Sequence, residues 1–267
     1  MASFREKLES GPQLGLGMFY PAPGIIERIG PDWDWIWIDG QHGEMGYNDV
    51  LGCVRACNLV KRFALIRVPG HEGGLIGLAL DTFADALMVP MVSTVEQAKH
   101  IVQAAKFPPV GSRSWGARRP IDLVGRSYSK PENEPLLICQ IENDQGLDNA
   151  EAIAAVKGVD ALFFGGDDMA ISRGISMDDP VPGDYFHESW ERMAKAAISQ
   201  GKFAGGVFPS SEAMTKATNL GYRLVVGGGE MFFLASGSKE ASDRLRKCID
   251  STAADRGKDQ GGSSGVY

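Results

Sequence analysis

Short runs of bulky apolar residues recur along the chain, separated by longer stretches whose apolar positions fall three or four apart. The first pattern suits buried strands and the second amphipathic helices, so their alternation predicts repeated βα units around a parallel sheet. The predicted strands are Leu14–Phe19, Trp35–Asp39, Phe63–Arg67, Ala86–Pro90, Leu136–Glu142, Ala161–Gly165, Phe203–Val207 and Leu224–Gly227. Helical periodicity covers Tyr47–Asn58, Thr94–Ala105, Leu147–Val156, Trp190–Gln200 and Glu212–Leu220. Eight consecutive units predict a closed (β/α)8 TIM barrel, one domain spanning residues 1–252. The first strand lacks the third glycine of a dinucleotide-binding turn, which disfavours an open doubly wound sheet. Two connections, Phe107–Pro135 and Ser176–Tyr185, are long enough to be lids or interface arms. Residues 253–267, rich in Gly and Ser, are expected to form a flexible tail.

Composition narrows the class of function. With 43% hydrophobic and 23% charged residues in 267, the chain has the makeup of a soluble globular protein with a full core. A net charge of −7 argues against nucleic acid or an anionic membrane as partner, since both demand a concentrated basic surface. Cys53, Cys57, Cys139 and Cys248 contain no Cys-x-x-Cys pair, so no zinc ribbon or thioredoxin-like motif is indicated. The charged N-terminal stretch is unlike a secretory signal, and no apolar run approaches the ~20 residues of a membrane span. A cytoplasmic location is the expectation.

The chemistry gathers at strand ends. In a parallel barrel all βα loops meet at the carboxyl ends of the strands, where active sites form. Strand two ends in Asp39 with His42 just beyond, strand three in Arg67, strand five in Glu142, and strand six leads into Asp167 and Asp168. Each residue alone has an ordinary reading as a cap, a turn residue or half of an ion pair. Together on one rim they form a site. Two carboxylates from adjacent strands are hard oxygen ligands suited to Mg2+ or Mn2+. An arginine offers a fork for a carboxylate or enolate oxygen, and a histidine beside an aspartate offers a tunable base. No candidate strand ends in lysine, which makes a Schiff-base mechanism the weaker option.

The motifs WIWIDGQHG, LIRVPG, LDTFADALMVPMVSTVEQA, FPPVGSRSWGARR, CQIEND, GVDALFFGGDDMA and LGYRLVVGGGEM occur in order from about Leu14 to Met231. In this the sequence resembles the class II pyruvate aldolases of the HpcH/HpaI family. The resemblance implies a hexameric (β/α)8 barrel whose last helix is exchanged between subunits. It implies a divalent ion, Mg2+ or Mn2+ with Co2+ or Zn2+ as further options, held by Glu142 and Asp168 and taking up pyruvate. It places Arg67 and Gln140 beside the keto oxygen, the substrate carboxylate at the backbone of Gly165 and Gly166, and Asp39 with His42 as an acid/base dyad. The partners it implies are a 2-oxo acid and an aldehyde.

Gln41 stands where the family usually has Glu, and Phe83 where glycine is usual. Gly165–Gly166–Asp167–Asp168–Met169–Ala170 replaces a common Gly-Pro-x-Asp-Leu-Ser, which leaves Asp167 as an alternative ligand to Asp168. The Gly227–Gly229 run serves either packing or an anion-binding nest. The first long loop, with Arg113, Trp115, Arg118 and Arg119, is the expected source of selectivity: Arg118 and Arg119 are read either as a solvated pair or as a basic edge near the barrel mouth that attracts a second carboxylate, with Trp115 as a substrate contact that covers an apolar or sugar aldehyde. Besides the aldolase, the readings kept open are an oxaloacetate decarboxylase or macrophomate-synthase-like enzyme, and a non-catalytic oxo-acid-binding protein.

Overall fold

Trp35 and Trp37 share a buried cluster with Leu65, Ala86, Met88, Leu136, Ile138, Phe163, Leu224 and Val226, whereas Ile36 and Ile38 belong to a second cluster shared with the helices. Alternate residues of a strand face opposite sides of a sheet, so these clusters are the inside and the outside of a barrel. The computed structural model describes residues 2–176, 178 and 185–260. Its elements are α1 (Phe4–Ser10), β1 (Gln13–Met18), α2 (Pro23–Ile29), β2 (Trp35–Asp39), α3 (Tyr47–Leu59), β3 (Phe63–Arg67), α4 (Gly73–Asp81), β4 (Ala86–Val89), α5 (Val95–Ala105) and α6 (Arg118–Val124). They continue with β5 (Leu136–Ile141), α7 (Asp144–Asp148), α8 (Ala150–Ala154), β6 (Ala161–Phe164), α9 (Gly166–Ser172), α10 (His187–Ser199), β7 (Phe203–Val207), α11 (Ser211–Asn219), β8 (Leu224–Gly229) and α12 (Glu230–Gln260). All neighbouring strands pair in parallel in chain order and β8 closes on β1, which is the predicted (β/α)8 barrel.

The amino end of the barrel is held by a repeated device. Asp34, Asp85 and Asp160 each stand one residue before an even-numbered strand, and each accepts a 2.8 Å hydrogen bond from a backbone N–H near the start of the preceding strand, at Leu14, Ala64 and Leu137. A strand's first N–H groups lack a ladder partner on one side, so a carboxylate there satisfies an otherwise buried donor. The helix α1, which the hydrophobic pattern did not predict, covers the same end. Ser3 caps it through a capping box with Glu6, and Phe4 stacks on Phe63 with ring centroids 4.7 Å apart.

The compact unit containing the barrel ends at Gly229, ahead of the expected boundary at residue 252, and a second unit begins at Glu230. That unit is the helix α12, which leaves Phe232, Leu234, Leu245 and Ile249 exposed. It runs to Gln260, so residues 253–260 of the expected tail are helical backbone, and residues 261–267 lie outside the described residues. Most of the long connection at Ser176–Tyr185 also lies outside them.

Candidate active site

The period of two that buries Trp35 and Trp37 carries Asp39 onto the same inner face, and likewise sets Arg67 above Leu65 and Gln140 above Ile138. The polar groups are thus the top layer of the barrel interior. All are buried: Asp39 is 0% exposed, Arg67 5%, Gln140 2% and Glu142 1%. Burying a charge is costly unless it is paired.

Asp39 and Arg67 pair across the β2–β3 register. Arg67 donates from Nε to Asp39 Oδ1 at 3.0 Å and from Nη2 to Oδ2 at 2.5 Å, a bidentate fork. Its guanidinium carbon lies 4.7 Å from the Trp37 ring centroid, so the indole face supports the cation from one side. Only Nη1 reaches sideways, to Gln140 Oε1 at 3.4 Å. Asp39 Oδ1 also accepts from the backbone N–H groups of Gln41 and His42, at 3.0 and 3.3 Å. Asp39 therefore contacts residue 42 through the backbone, and the His42 ring, on an exposed residue, makes no hydrogen bond among the described residues. The structure brings Asp39 to Arg67 rather than to the imidazole.

Gly43 makes this tip possible. A Cβ there would lie 2.2 Å from the Asp39 carbonyl oxygen and 2.8 Å from that of Phe19, so the chain folds back over the strand end only with glycine.

Glu142 follows β5. Its Oε2 accepts from the Met91 N–H at 2.7 Å, and Met91 holds φ at 56°, in the left-handed region. Its other side lies against Gly165, where a Cβ would come within 2.5 Å of Glu142 Cγ and Oε1 and 2.9 Å of Gln140 Nε2. Burial pushes the Glu142 carboxyl up to about 7, with the neighbouring Asp168 raising it further, against the lowering influence of the Met91 N–H and Arg67. Asp168, partly buried in the first turn of α9, is thus the carboxylate that faces Glu142, whereas Asp167 is exposed. Among the described residues no group of three or more His, Cys, Asp or Glu converges as a metal cage. The donor set is a pair of carboxylates whose mutual repulsion a cation relieves, which fits a hard divalent ion that keeps most positions for water and substrate.

Of the two glycines expected to receive a carboxylate, Gly165 commits its N–H to the Ile141 carbonyl at 3.0 Å. Gly166 opens α9, where the first backbone N–H groups have no helical acceptor.

The long segment before β5 does not reach this rim. Arg113 pairs with Asp81, at the end of α4, and Arg119 donates to the Thr82 carbonyl and to Asn58 near the end of α3. Those are helix carboxyl ends, hence the amino-terminal side of the barrel. Trp115 packs on Tyr128, 5.6 Å between centroids, under the Arg126 guanidinium. Within this chain Trp115 is therefore part of the arm and lies apart from Arg67 and Glu142. Arg118 pairs with Asp122 on the surface. The Gly227–Gly229 run continues strand β8, and Gly229 together with Gly17 leaves room for the Phe19 ring, which favours packing over an anion nest. Two contributors were missed from sequence: Trp37, read only as bulk, and the Met91 N–H, a backbone group with no side-chain signature.

A family model for HpcH/HpaI aldolase/citrate lyase matches residues 23–232. The chain is 37% identical over 263 residues to a 4-hydroxy-2-oxovalerate aldolase of Novosphingobium aromaticivorans, covering 96% of this chain and 97% of that one. It is 31% identical over 227 residues to a hydroxypyruvate/pyruvate aldolase of Chromohalobacter salexigens, covering 80% and 85%. A crystal structure of an HpcH/HpaI aldolase/citrate lyase family protein from Burkholderia cenocepacia J2315 superposes with a TM-score of 0.82 at 29% identity, over 91% of this chain and 98% of that one. The extent of these matches means that the chain belongs to the HpcH/HpaI aldolase/citrate lyase family.

Proposed function

We propose that the protein is a carbon–carbon lyase, a pyruvate aldolase that cleaves or forms 4-hydroxy-2-oxo acids with an aldehyde as the second product. The observation that carries this reading is the buried Glu142 beside Asp168, seated on Gly165 and flanked by the Arg67 Nη1–Gln140 contact. The relatives named as 4-hydroxy-2-oxovalerate and hydroxypyruvate/pyruvate aldolases support it.

Glu142 and Asp168 would hold a divalent ion, Mg2+ or Mn2+ by the hardness of the donors. Such an ion, when bound, acts as a Lewis acid that offsets the charge developing on the 2-oxo oxygen. Arg67, fixed by Asp39 on one edge and by the Trp37 face below, presents Nη1 to that same oxygen. Gly166 receives the substrate carboxylate on its backbone. His42 takes the proton of the C4 hydroxyl, the C3–C4 bond breaks, its electron pair forms the C2–C3 double bond of the enolate, and the aldehyde departs. Protonation at C3 then gives pyruvate. Asp39 acts by holding Arg67 and by fixing the loop that carries His42.

The test is proton–deuterium exchange at the pyruvate methyl, followed by NMR in metal-stripped protein, after addition of Mg2+ or Mn2+, and in a Glu142→Gln variant. Metal-dependent exchange that the variant loses is the expected result. No exchange in the fully loaded wild type overturns the reading. Turnover of oxaloacetate without any aldehyde-dependent reaction would favour the decarboxylase. Exchange of α12 between subunits of a hexamer belongs to the same proposal, supported by the apolar residues that helix exposes.

A further inference from the structure

The peptide bond between Pro90 and Met91 is held from both ends. Its carbonyl oxygen lies 2.6 Å from Nε2 of His71, a half-buried residue in the loop after β3, and its N–H donates to Glu142 Oε2 at 2.7 Å. A carbonyl oxygen only accepts, so His71 Nε2 carries the proton and donates. The next residue, Val92, donates its N–H to the Gln140 carbonyl at 3.0 Å. Three consecutive residues of the β4–α5 loop are thus tied to three different partners.

Met91 makes the arrangement informative. A methionine has no local reason to adopt φ of 56°, and left-handed backbone is strained at a non-glycine, so its surroundings must hold it there. The residue is 43% exposed, so burial does not do so. The contacts that hold it are the polar ones on either face of its preceding peptide.

We propose that His71 is a positioning residue for Glu142, acting through the Pro90–Met91 peptide. By fixing the carbonyl, the imidazole aims the amide on the opposite edge of the same plane at Oε2. That occupies one carboxylate oxygen and leaves Oε1, seated against Gly165, as the one directed to a ligand. Donation to the carbonyl also polarises the peptide and strengthens its N–H as a donor. The inference rests on the reading of Glu142 as a metal ligand. Outer partners that orient a ligating carboxylate ordinarily matter about 10- to 100-fold in metal affinity.

The test uses metal-stripped full-length protein and Mn2+ alone, with affinity read by electron paramagnetic resonance and the Met91 amide proton by NMR of protein labelled with 15N-methionine. His71→Ala is expected to weaken Mn2+ binding by about 10-fold or more and to shift the Met91 amide upfield. His71→Gln, whose side-chain amide can donate to the same carbonyl, is expected to recover much of both. An unchanged Mn2+ affinity in His71→Ala, beside a Glu142→Gln variant that loses the ion, overturns the proposal and leaves His71 as a tie between two loops. If Glu142→Gln keeps the wild-type affinity, the metal reading fails instead, and the amide alone decides: an unmoved Met91 resonance in His71→Ala overturns the positioning role and a shifted one upholds it. Should that variant fail to fold, the tautomer of His71 in the wild type decides, because a ring protonated only at Nδ1 cannot donate from Nε2.

Discussion

Replacing Glu142 by Gln is expected to stabilise the metal-free protein while abolishing its chemistry. The Glu142 carboxyl is raised from an ordinary 4.5 to about 7, chiefly by burial and then by Asp168, so the fold favours its protonated form. The sign follows from linkage. Below pH 4.5 the group is protonated whether the chain is folded or not, and it contributes nothing; as pH rises toward 7 the unfolded chain ionises freely while the folded one resists, and stability is lost. Above pH 7 the loss is complete and amounts to about 3 kcal/mol, taken in full because the residue is only 1% exposed. Glutamine keeps an oxygen for the Met91 N–H and carries no charge to desolvate. Thermal unfolding of the two chelated proteins near pH 5 and near pH 8 would show similar midpoints at the lower value, and a variant higher by about 5–10 °C at the upper one. Titration of Asp85 is common to both proteins and cancels. Added Mn2+ should close the gap by stabilising only the wild type, by ~2.7 kcal/mol at a hundred times its dissociation constant. Parallel stability profiles, with the variant no better at pH 8 than at pH 5, would refute the reasoning, because Glu142 would then carry no burden for a cation to relieve.

Gly165→Ala sets a Cβ 2.5 Å from Glu142 Oε1, and should cut Mn2+ affinity at least ~10-fold in a calorimetric titration. Arg67→Lys keeps the charge but loses the two-pronged grip on Asp39 and the aim of Nη1, so steady-state kinetics should show kcat for cleavage down by about 100- to 1,000-fold. Asp85, pushed up to about 6 by burial despite the Ala64 N–H and Arg119, costs stability above that pH and not below 3.8. Asp85→Asn should therefore gain about 2 kcal/mol on the wild type near pH 8, allowing for partial exposure, and nothing near pH 4, as read by urea unfolding.

Much of the barrel was legible because its strands are buried on both faces and read as continuous apolar runs. Trp35–Asp39, Phe63–Arg67 and Phe203–Val207 have the predicted bounds. Strands five and six end one residue early, before Glu142 and Gly165, although Gly165 still donates its N–H to the Ile141 carbonyl of the neighbouring strand. The helix expected over Leu147–Val156 is broken into α7 and α8. Phe83, where glycine is usual, holds φ at 59°, which gives the conformational reason for that preference. Of the two readings open for the arm with Trp115, the one at the barrel mouth conflicts with chain order: a segment after a helix and before a strand belongs to the amino end. The choice between Asp167 and Asp168 needed three dimensions, because adjacent residues at a helix start point some 100° apart.

The pairing of Asp39 with Arg67 bears on how the proposed base would work. Both oxygens of Asp39 are engaged by Arg67, and Oδ1 also serves two backbone N–H groups, so its polar contacts run to Arg67 and the loop backbone and not to the His42 ring. Instead it neutralises Arg67 along one edge and limits that residue to a directed donor at Nη1, toward Gln140 and, in the proposed reaction, toward the oxygen on which enolate charge would develop. Moving the Asp39–Arg67 fork would disturb two things together: the aim of Nη1 and, through the N–H groups of Gln41 and His42, the tip that carries the proposed base. Loss of Asp39 should thus resemble loss of Arg67 in kcat, and the two losses should not add, because both remove one unit. A base activated directly by Asp39 would instead make the double variant worse than either single one.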